Sequence, residues 1–208
     1  MTKLDHYRST RGFSLIEMLL VLTVMLVLLG MIATVSNRTI TSHRLGALAA
    51  TLQADLNYGF QLADTHNRPV EFRIYQSEDL TTGRSPLFTA YQLLHRSPKT
   101  GKLIELTSVT LLDEDIAFHS SMQFSSLMSL GKNPPSANDP KVALDGDRTD
   151  RYQFTGFQLR PDGSTSLAGD QIWTLTLVTS NEASSLLLPR NYRTLAINPA
   201  SGSVRLYD

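Results

Sequence analysis

The sequence contains no cysteine among its 208 residues, which excludes disulfide bonds and thiolate metal sites. It also lacks an excess of charge, because 19 Lys and Arg residues balance 19 Asp and Glu residues. A net charge of zero provides no general attraction to nucleic acid or to an acidic partner. The length suits one globular domain with an appendage, and that domain must be held together by packing alone.

Charge is missing altogether from the twenty residues Met18–Asn37, which are mostly apolar. A helix of this length, at about 1.5 Å rise per residue, spans a hydrocarbon core of roughly 30 Å. Lys3, Arg8 and Arg11 precede the run, and the next basic residue is Arg38. This asymmetry predicts a cytoplasmic N-terminus and an exported remainder. The run is longer than the apolar core of a cleaved signal peptide and lacks the small-residue cleavage site.

A carboxylate, Glu17, stands at the start of the apolar run. An ionisable group within a spanning segment is costly and indicates a function. The stretch RGFSLIE at residues 11–17, followed by the apolar run, resembles the leader of type IV prepilins and type II secretion pseudopilins. The resemblance implies that prepilin peptidase cleaves between Gly12 and Phe13 and that Phe13 becomes N-methylated. It also implies that Glu17 pairs with the N-terminal amine of a neighbouring subunit during assembly, and the alternative is a tolerated carboxylate in a plain membrane anchor.

The remaining pattern predicts an α+β fold in which a long N-terminal helix packs on an antiparallel β-sheet. An apolar stripe at 3–4 spacing predicts an amphipathic helix that ends at Asn67-Arg68-Pro69. Beyond it the period changes to two, and Trp173, Leu175 and Leu177 share the strand face expected to meet the helix. The stripe consists of Leu45, Leu48, Ala49, Leu52, Leu56, Phe60 and Ala63. The predicted strands begin with Val70–Ile74 and continue with Leu87–His95, Leu103–Leu112, Ile116–Phe124, Tyr152–Leu159, Ile172–Thr179, Thr194–Asn198 and Ser203–Tyr207.

The predicted organisation has four parts. These are a cytoplasmic leader (1–12), a transmembrane helix (13–37), its amphipathic continuation (38–66) and a periplasmic β-rich domain (67–208). A long loop at 131–150 interrupts the last part, and a loop of this length is either functional or mobile.

Three aspartates in the long loop, Asp145, Asp147 and Asp150, raise the question of a calcium site. Their spacing matches no EF-hand, so the prediction is a solvated cluster with no metal. No cofactor is expected either.

Three further stretches carry a second resemblance. Leu45–Tyr75, 157–167 and 192–208 are similar to the helix, first strand and last hairpins of the GspH/FimT-like minor pseudopilins. Together with the leader, they also resemble the Verru_Chthon cassette protein D group of prepilin-like proteins. The resemblance implies a minor pilin or pseudopilin subunit with prepilin peptidase, other pilins and the inner membrane as its partners.

The sequence has no nucleophile elbow, metalloprotease helix, phosphate-binding loop or dinucleotide fingerprint, and its five histidines are scattered. We therefore expect no enzyme, and histidines at surface or capping positions. One alternative is a FimT-like DNA-binding pilin that uses Arg190, Arg193 and Arg205, near two tyrosines. Against it, the chain after the leader carries 16 Lys and Arg against 18 Asp and Glu. Another alternative is a single-pass membrane protein that never assembles.

Overall fold

The structure is a computed structural model that describes residues 14–77, 86–144, 147–149 and 151–208. For residues 31–39, 77 and 147–149 it describes the backbone alone. The chain divides into two compact units, Met1–Thr41 and Ser42–Asp208.

Helix α1 (Leu15–His66) begins in the first unit. The carbonyl oxygen of Ser14 accepts the backbone N–H groups of Glu17 at 3.0 Å and of Met18 at 3.2 Å. Every large apolar side chain from Leu15 to Leu29 is exposed, by 43% to 88%. Within this unit, the helical hydrogen bonds satisfy the backbone while the apolar side chains are left uncovered.

The predicted membrane segment 13–37 is described only in part. Among the residues that the structure describes, no helix combines the length and the apolar character needed to cross a membrane. Phe13 and the side chains of 31–37 lie outside the described part of the chain.

In the second unit, α1 buries the predicted apolar stripe. Leu45, Ala49, Leu52, Leu56 and Ala63 are each at most 1% exposed and belong to the main core cluster. Leu48 and Phe60 pack against that cluster while half-buried. The amphipathic helix predicted from the 3–4 spacing is therefore confirmed.

The C-terminus of α1 lies where the proline signal predicts it. Asn67 adopts a left-handed conformation with φ of 49°, and its N–H donates to the Asp64 carbonyl at 3.0 Å. The N–H of Arg68 donates to the carbonyl of Ala63 at 3.0 Å. These bonds satisfy the last helical carbonyls before Pro69, which cannot continue the helix.

Within the described residues, eleven strands follow α1. Their bounds are β1 Val70–Ser77, β2 Phe88–Arg96, β3 Leu103–Glu105, β4 Thr110–Leu111, β5 Ile116–Phe118, β6 Val142–Leu144, β7 Asp147–Thr149, β8 Tyr152–Leu159, β9 Trp173–Thr179, β10 Arg193–Ile197 and β11 Val204–Tyr207. Nine of these strands form one antiparallel sheet in the order β11-β10-β9-β5-β2-β1-β8, with β3 and β4 also pairing with β2. The other two form a separate hairpin, β6–β7. The predicted fold class, a long N-terminal helix on an antiparallel sheet, is confirmed.

One face of the sheet forms the main core with α1. The predicted face of Trp173, Leu175 and Leu177 joins the helical stripe in one cluster, as expected. Two polar links join the helix to the sheet. The Tyr91 hydroxyl donates to Asp55 Oδ2 at 2.7 Å, and Gln53 Nε2 donates to a β11 carbonyl at 2.8 Å. Burial raises the pKa of Tyr91, so this hydroxyl keeps its proton and remains a donor.

The opposite face of the sheet carries a smaller apolar group that we call the far-face cluster. The β6–β7 hairpin contributes two of its side chains, and the Tyr75 and Tyr152 rings meet edge to face at 5.3 Å. Tyr152 also donates from its hydroxyl to the carbonyl of Pro140 at 2.9 Å. The far-face cluster consists of Tyr75, Ala90, Val142, Leu144, Tyr152 and Phe154.

Three sequence predictions need correction. The strand predicted at Leu103–Leu112 is two short strands, because the N–H groups of Leu106 and Thr107 both turn to the carbonyl of Leu93. The strand predicted at Ile116–Phe124 ends at Phe118, because serine hydroxyls downstream bond to β9 in place of a ladder. The predicted loop 131–150 contains the hairpin β6–β7, whose three-residue strands are too short to show an alternating pattern.

Gly156 in β8 offers a test of the sheet. A Cβ atom there would overlap the backbone carbonyl oxygen of Phe72 on β1, whereas a Cβ at the exposed Gly169 would meet nothing within 4 Å. We expect Gly156→Ala to lower the free energy of unfolding by about 1–3 kcal/mol through overpacking. Gly169→Ala should change it by less than about 0.5 kcal/mol. Urea denaturation of the fragment 42–208, which contains every buried apolar residue described, measures both. Equal urea midpoints for the two variants would contradict the close β1–β8 approach.

Candidate processing and assembly site

The predicted processing site lies next to the first described residue. Gly12 and Phe13, the predicted cleavage and N-methylation residues, lie outside the described residues, as does the leader 1–12. Ser14 is the first described residue, and its carbonyl accepts the first hydrogen bonds of α1. The helix therefore begins at the second residue after the predicted new N-terminus.

Glu17 lies in the first turn of α1 and is exposed. A carboxylate at this position is favoured by the partial positive charge of the helix N-terminus. Its neighbours along the helix surface are Leu20 and Val21, which are 61% and 43% exposed. Among the described residues, Glu17 makes no ion pair. The helix thus presents one carboxylate beside exposed apolar side chains, a geometry that a cationic group on another molecule can complement.

The three arginines of the DNA-binding alternative do not form one track. Arg193 lies on the β10 face that carries Leu195, and its Nη2 is 3.4 Å from Ser42 Oγ on α1. Arg205 pairs with Ala196 and alternates with the core-facing residues of β11, so it lies on the other face. Arg190 is exposed in the preceding loop. Nucleic-acid binding stays an untested prediction.

The aspartates of the long loop are only partly described. Asp145 and Asp150 lie outside the described residues, and Asp147 begins β7 with its side chain undescribed. Among the described residues, no three His, Asp or Glu side chains are grouped as a metal site would require.

His119, one of the histidines expected at surface or capping positions, lies in the interior. It is fully buried, and its Nδ1 accepts the backbone N–H of Ser121 at 3.1 Å. The ring meets Phe124 edge to face at 5.0 Å. Burial lowers the pKa of His119 because the charged imidazolium would lose its hydration, so this histidine remains neutral. It caps a turn from the interior.

A buried ionic cluster on the far face was not predicted from the sequence. Arg73 of β1 is 3% exposed, and its Nε donates to Glu71 Oε1 at 2.6 Å. Its other two nitrogens meet Asp139, with Nη1 3.2 Å from Oδ2 and Nη2 3.4 Å from Oδ1. The Nη1 contact is an ion pair that lacks hydrogen-bond geometry. The guanidinium also lies over the Phe154 ring, 3.7 Å from its centroid.

Arg73 attaches the long loop to the sheet through this cluster. Burial alone would lower the pKa of the guanidinium, but the charges and hydrogen bonds of Glu71 and Asp139 outweigh it and raise the pKa. Asp139 in turn accepts the Ser136 N–H at 2.8 Å. Gly156 faces Arg73 across the ladder and leaves room for the long side chain. No sequence signal linked Arg73 to an aspartate 66 residues away.

Comparison with known proteins adds information chiefly at the N-terminus. Residues 7–33 match the profile of the prokaryotic N-terminal methylation motif, which confirms the motif recognised around Gly12, Phe13 and Glu17. No curated protein matches the chain. Among solved structures, the chain is similar to the minor pseudopilin EpsH from the type 2 secretion system of Vibrio cholerae. The identity is 12%, the match covers 79% of this chain and 96% of that chain, and the TM-score is 0.44.

The buried cluster offers a paired test against a surface ion pair. Arg73→Met keeps the aliphatic stem but leaves two carboxylates without their cation, so we expect a loss of about 3–5 kcal/mol in unfolding free energy. Arg44 pairs with Asp115 at 3.5 Å with both side chains about half-exposed. Arg44→Met should therefore cost only about 0–1 kcal/mol. Urea denaturation of both variants measures the difference, and a similar small loss for both would show that the Arg73 cluster is solvated.

Proposed function

We propose that this chain is a minor pilin- or pseudopilin-like subunit. Prepilin peptidase cleaves it between Gly12 and Phe13 and methylates Phe13. The mature chain then joins or primes a type IV pilus or a type II secretion pseudopilus. The observation that carries the proposal is the N-terminal methylation motif at residues 7–33, a range that includes the proposed cleavage position between Gly12 and Phe13 as well as Glu17. The role is structural, and the chain is a substrate of the peptidase.

The exposed apolar surface of the first unit supports a membrane location. The large apolar side chains from Leu15 to Leu29 would each lose about 1.5–3 kcal/mol of burial free energy by remaining in water. Lipid, or the helices of neighbouring subunits, removes that cost. With basic residues ahead of the run, the proposed topology places the N-terminus in the cytoplasm and the β-rich domain in the periplasm.

Glu17 is proposed to determine how subunits align. Cleavage creates a positive α-amine at Phe13, and an amine or a carboxylate left alone in apolar surroundings is costly. Pairing the carboxylate of one helix with the amine of the next removes much of that cost for both groups. Glu17 is exposed and makes no ion pair among the described residues, as a contact reserved for another subunit requires.

The first functional prediction concerns processing. In cells with an active prepilin peptidase, the mature protein should begin at Phe13 with one added methyl group, which N-terminal sequencing and mass spectrometry detect. Gly12→Val should leave full-length precursor, because a branched side chain occupies the cleavage position. Gly30→Val is the matched control and should be cleaved normally, since a Cβ at Gly30 meets nothing within 4 Å. A wild-type protein that keeps Met1 would refute the proposed function.

The second functional prediction concerns assembly. Glu17→Ala should still be cleaved and still enter the membrane, because losing a carboxylate makes insertion easier. Crosslinking to co-expressed pilins should fall sharply, because the partner amine is left desolvated and unpaired. Glu17→Asp should be intermediate, because its side chain is one methylene shorter.

The control for assembly is Asp64→Ala, which removes an exposed carboxylate elsewhere on α1. It should be cleaved and crosslinked as efficiently as the wild type. If Glu17→Ala is also cleaved and crosslinked normally, Glu17 has no part in assembly and the chain is a plain membrane anchor.

A further inference from the structure

Two consecutive leucines project from a loop of the second unit. Leu186 is 89% exposed and Leu187 is 78% exposed. The other exposed large apolar side chains described between residues 42 and 208 lie between 38% and 64%. We call Leu186 and Leu187 the leucine tip. It is the most exposed apolar feature described in this unit, and packing within the unit does not account for its exposure.

The leucine tip stands on an ordered base. Ala183 is fully buried. Its carbonyl accepts two hydrogen bonds from Ser120, one from the backbone N–H at 2.8 Å and one from the side-chain hydroxyl at 3.0 Å. The N–H of Ser185 donates to the Glu182 carbonyl at 3.0 Å, and Ser185 Oγ accepts the N–H of Leu187 at 3.2 Å. The hydrogen bonds of the loop therefore direct the two leucines outward.

The character of the leucine tip favours a fluid apolar phase over a shaped protein pocket. Protein–protein hot spots are enriched in Trp, Tyr and Arg, and leucine is under-represented among them. The nearest aromatic residue in sequence, Tyr192, is not available, because it packs against the buried Ala117, Val178 and Ala183. Leucines on a convex loop can enter a bilayer without any complementary surface.

Charge around the leucine tip is consistent with a membrane interface. Arg190 follows three residues after Leu187 and is exposed, so its guanidinium can reach headgroup phosphates while the leucines lie deeper. Acidic residues lie at the base, where Ser180 bonds to the backbone carbonyls of Glu114 and Asp115. Insertion should therefore depend more on the leucines than on anionic lipid.

We propose that the leucine tip is a second lipid-binding site, at which Leu186 and Leu187 insert into the interface of a bilayer. The exposed apolar helix from Leu15 to Leu29 is the first such site. That assignment rests on the proposed function; lipid binding by the tip itself does not.

The first test uses the fragment 42–208 with vesicles of phosphatidylcholine, alone or mixed with phosphatidylglycerol. The double variant Leu186→Ser/Leu187→Ser should lower the vesicle-bound fraction by about tenfold or more, because two apolar side chains no longer leave water. The matched control is Ile104→Ser/Leu111→Ser, which removes two apolar side chains that are 44% and 51% exposed. The control should bind as the wild type does, and the buried Trp173 reports by fluorescence that each variant is folded.

The second test uses the full chain reconstituted in vesicles that contain brominated lipid. Because the sequence has no cysteine, Leu186→Cys and Ile104→Cys each create a unique site for a fluorescent label. The label at position 186 should be quenched about threefold more strongly than the label at 104, since only the former enters the apolar phase.

The outcomes separate the two proposals. Wild-type binding by the Leu186→Ser/Leu187→Ser fragment, or an unquenched label at 186 in a chain that co-sediments with vesicles, overturns lipid binding by the tip. An unquenched label at 186 that crosslinks to a co-reconstituted pilin identifies a protein pocket as the occupant, which also overturns it. If no full-length variant co-sediments with vesicles, the proposed membrane anchor is overturned instead. Vesicle binding by the fragment 42–208 still decides whether the tip binds lipid.

Discussion

The contact between α1 and the sheet is the constraint on which the second unit depends. At Gly59 the helix approaches so closely that a Cβ atom would lie 2.6 Å from Leu159 Cδ1 and 3.0 Å from Leu93 Cδ2. The glycine lets the helix lie directly against β2 and β8, and the stripe from Leu45 to Ala63 fills the resulting space. Without disulfides, this apolar contact and its polar links replace covalent constraints.

The apolar residues of α1 are distributed differently in the two units. In the second unit its apolar residues occupy one stripe, and the sheet buries them. In the first unit apolar residues occupy every described face from Leu15 to Leu29, and their side chains are exposed. A helix that is apolar all round requires an apolar environment from outside. The proposed membrane and filament roles supply that environment, and in the same proposal the amine of a neighbouring subunit supplies a positive charge next to Glu17.

The far face of the sheet shows how polar groups can organise a loop. Arg73 is buried between Glu71 and Asp139, and its guanidinium covers Phe154. A buried ion pair of this kind contributes little net stability compared with an apolar replacement, but breaking it is costly. Its effect is to fix where the 131–144 segment lies on the sheet. The β6–β7 hairpin then adds Val142 and Leu144 to the far-face cluster.

Local patterns in the sequence determined much of the architecture. Helical periodicity located the stripe of α1, and Pro69 located its end. Period-two alternation located β1, β2, β8, β9, β10 and β11 within a few residues. The N-terminal motif could likewise be recognised locally, because its residue types lie at short offsets in residues 11–17, directly ahead of the apolar run.

The tertiary structure decided what depends on residues distant in sequence. Arg73 and Asp139 are 66 positions apart in the sequence, and only the fold shows that they meet and that Arg73 is buried. The split of Arg193 and Arg205 between two faces follows from strand register, which a list of basic residues does not contain. The exposure of Leu186 and Leu187 also depends on tertiary structure, because a run of leucines in a sequence resembles a core segment until the fold leaves it uncovered. Periodicity is a property of neighbours along the chain, whereas burial and pairing are set by the sum of all contacts in space.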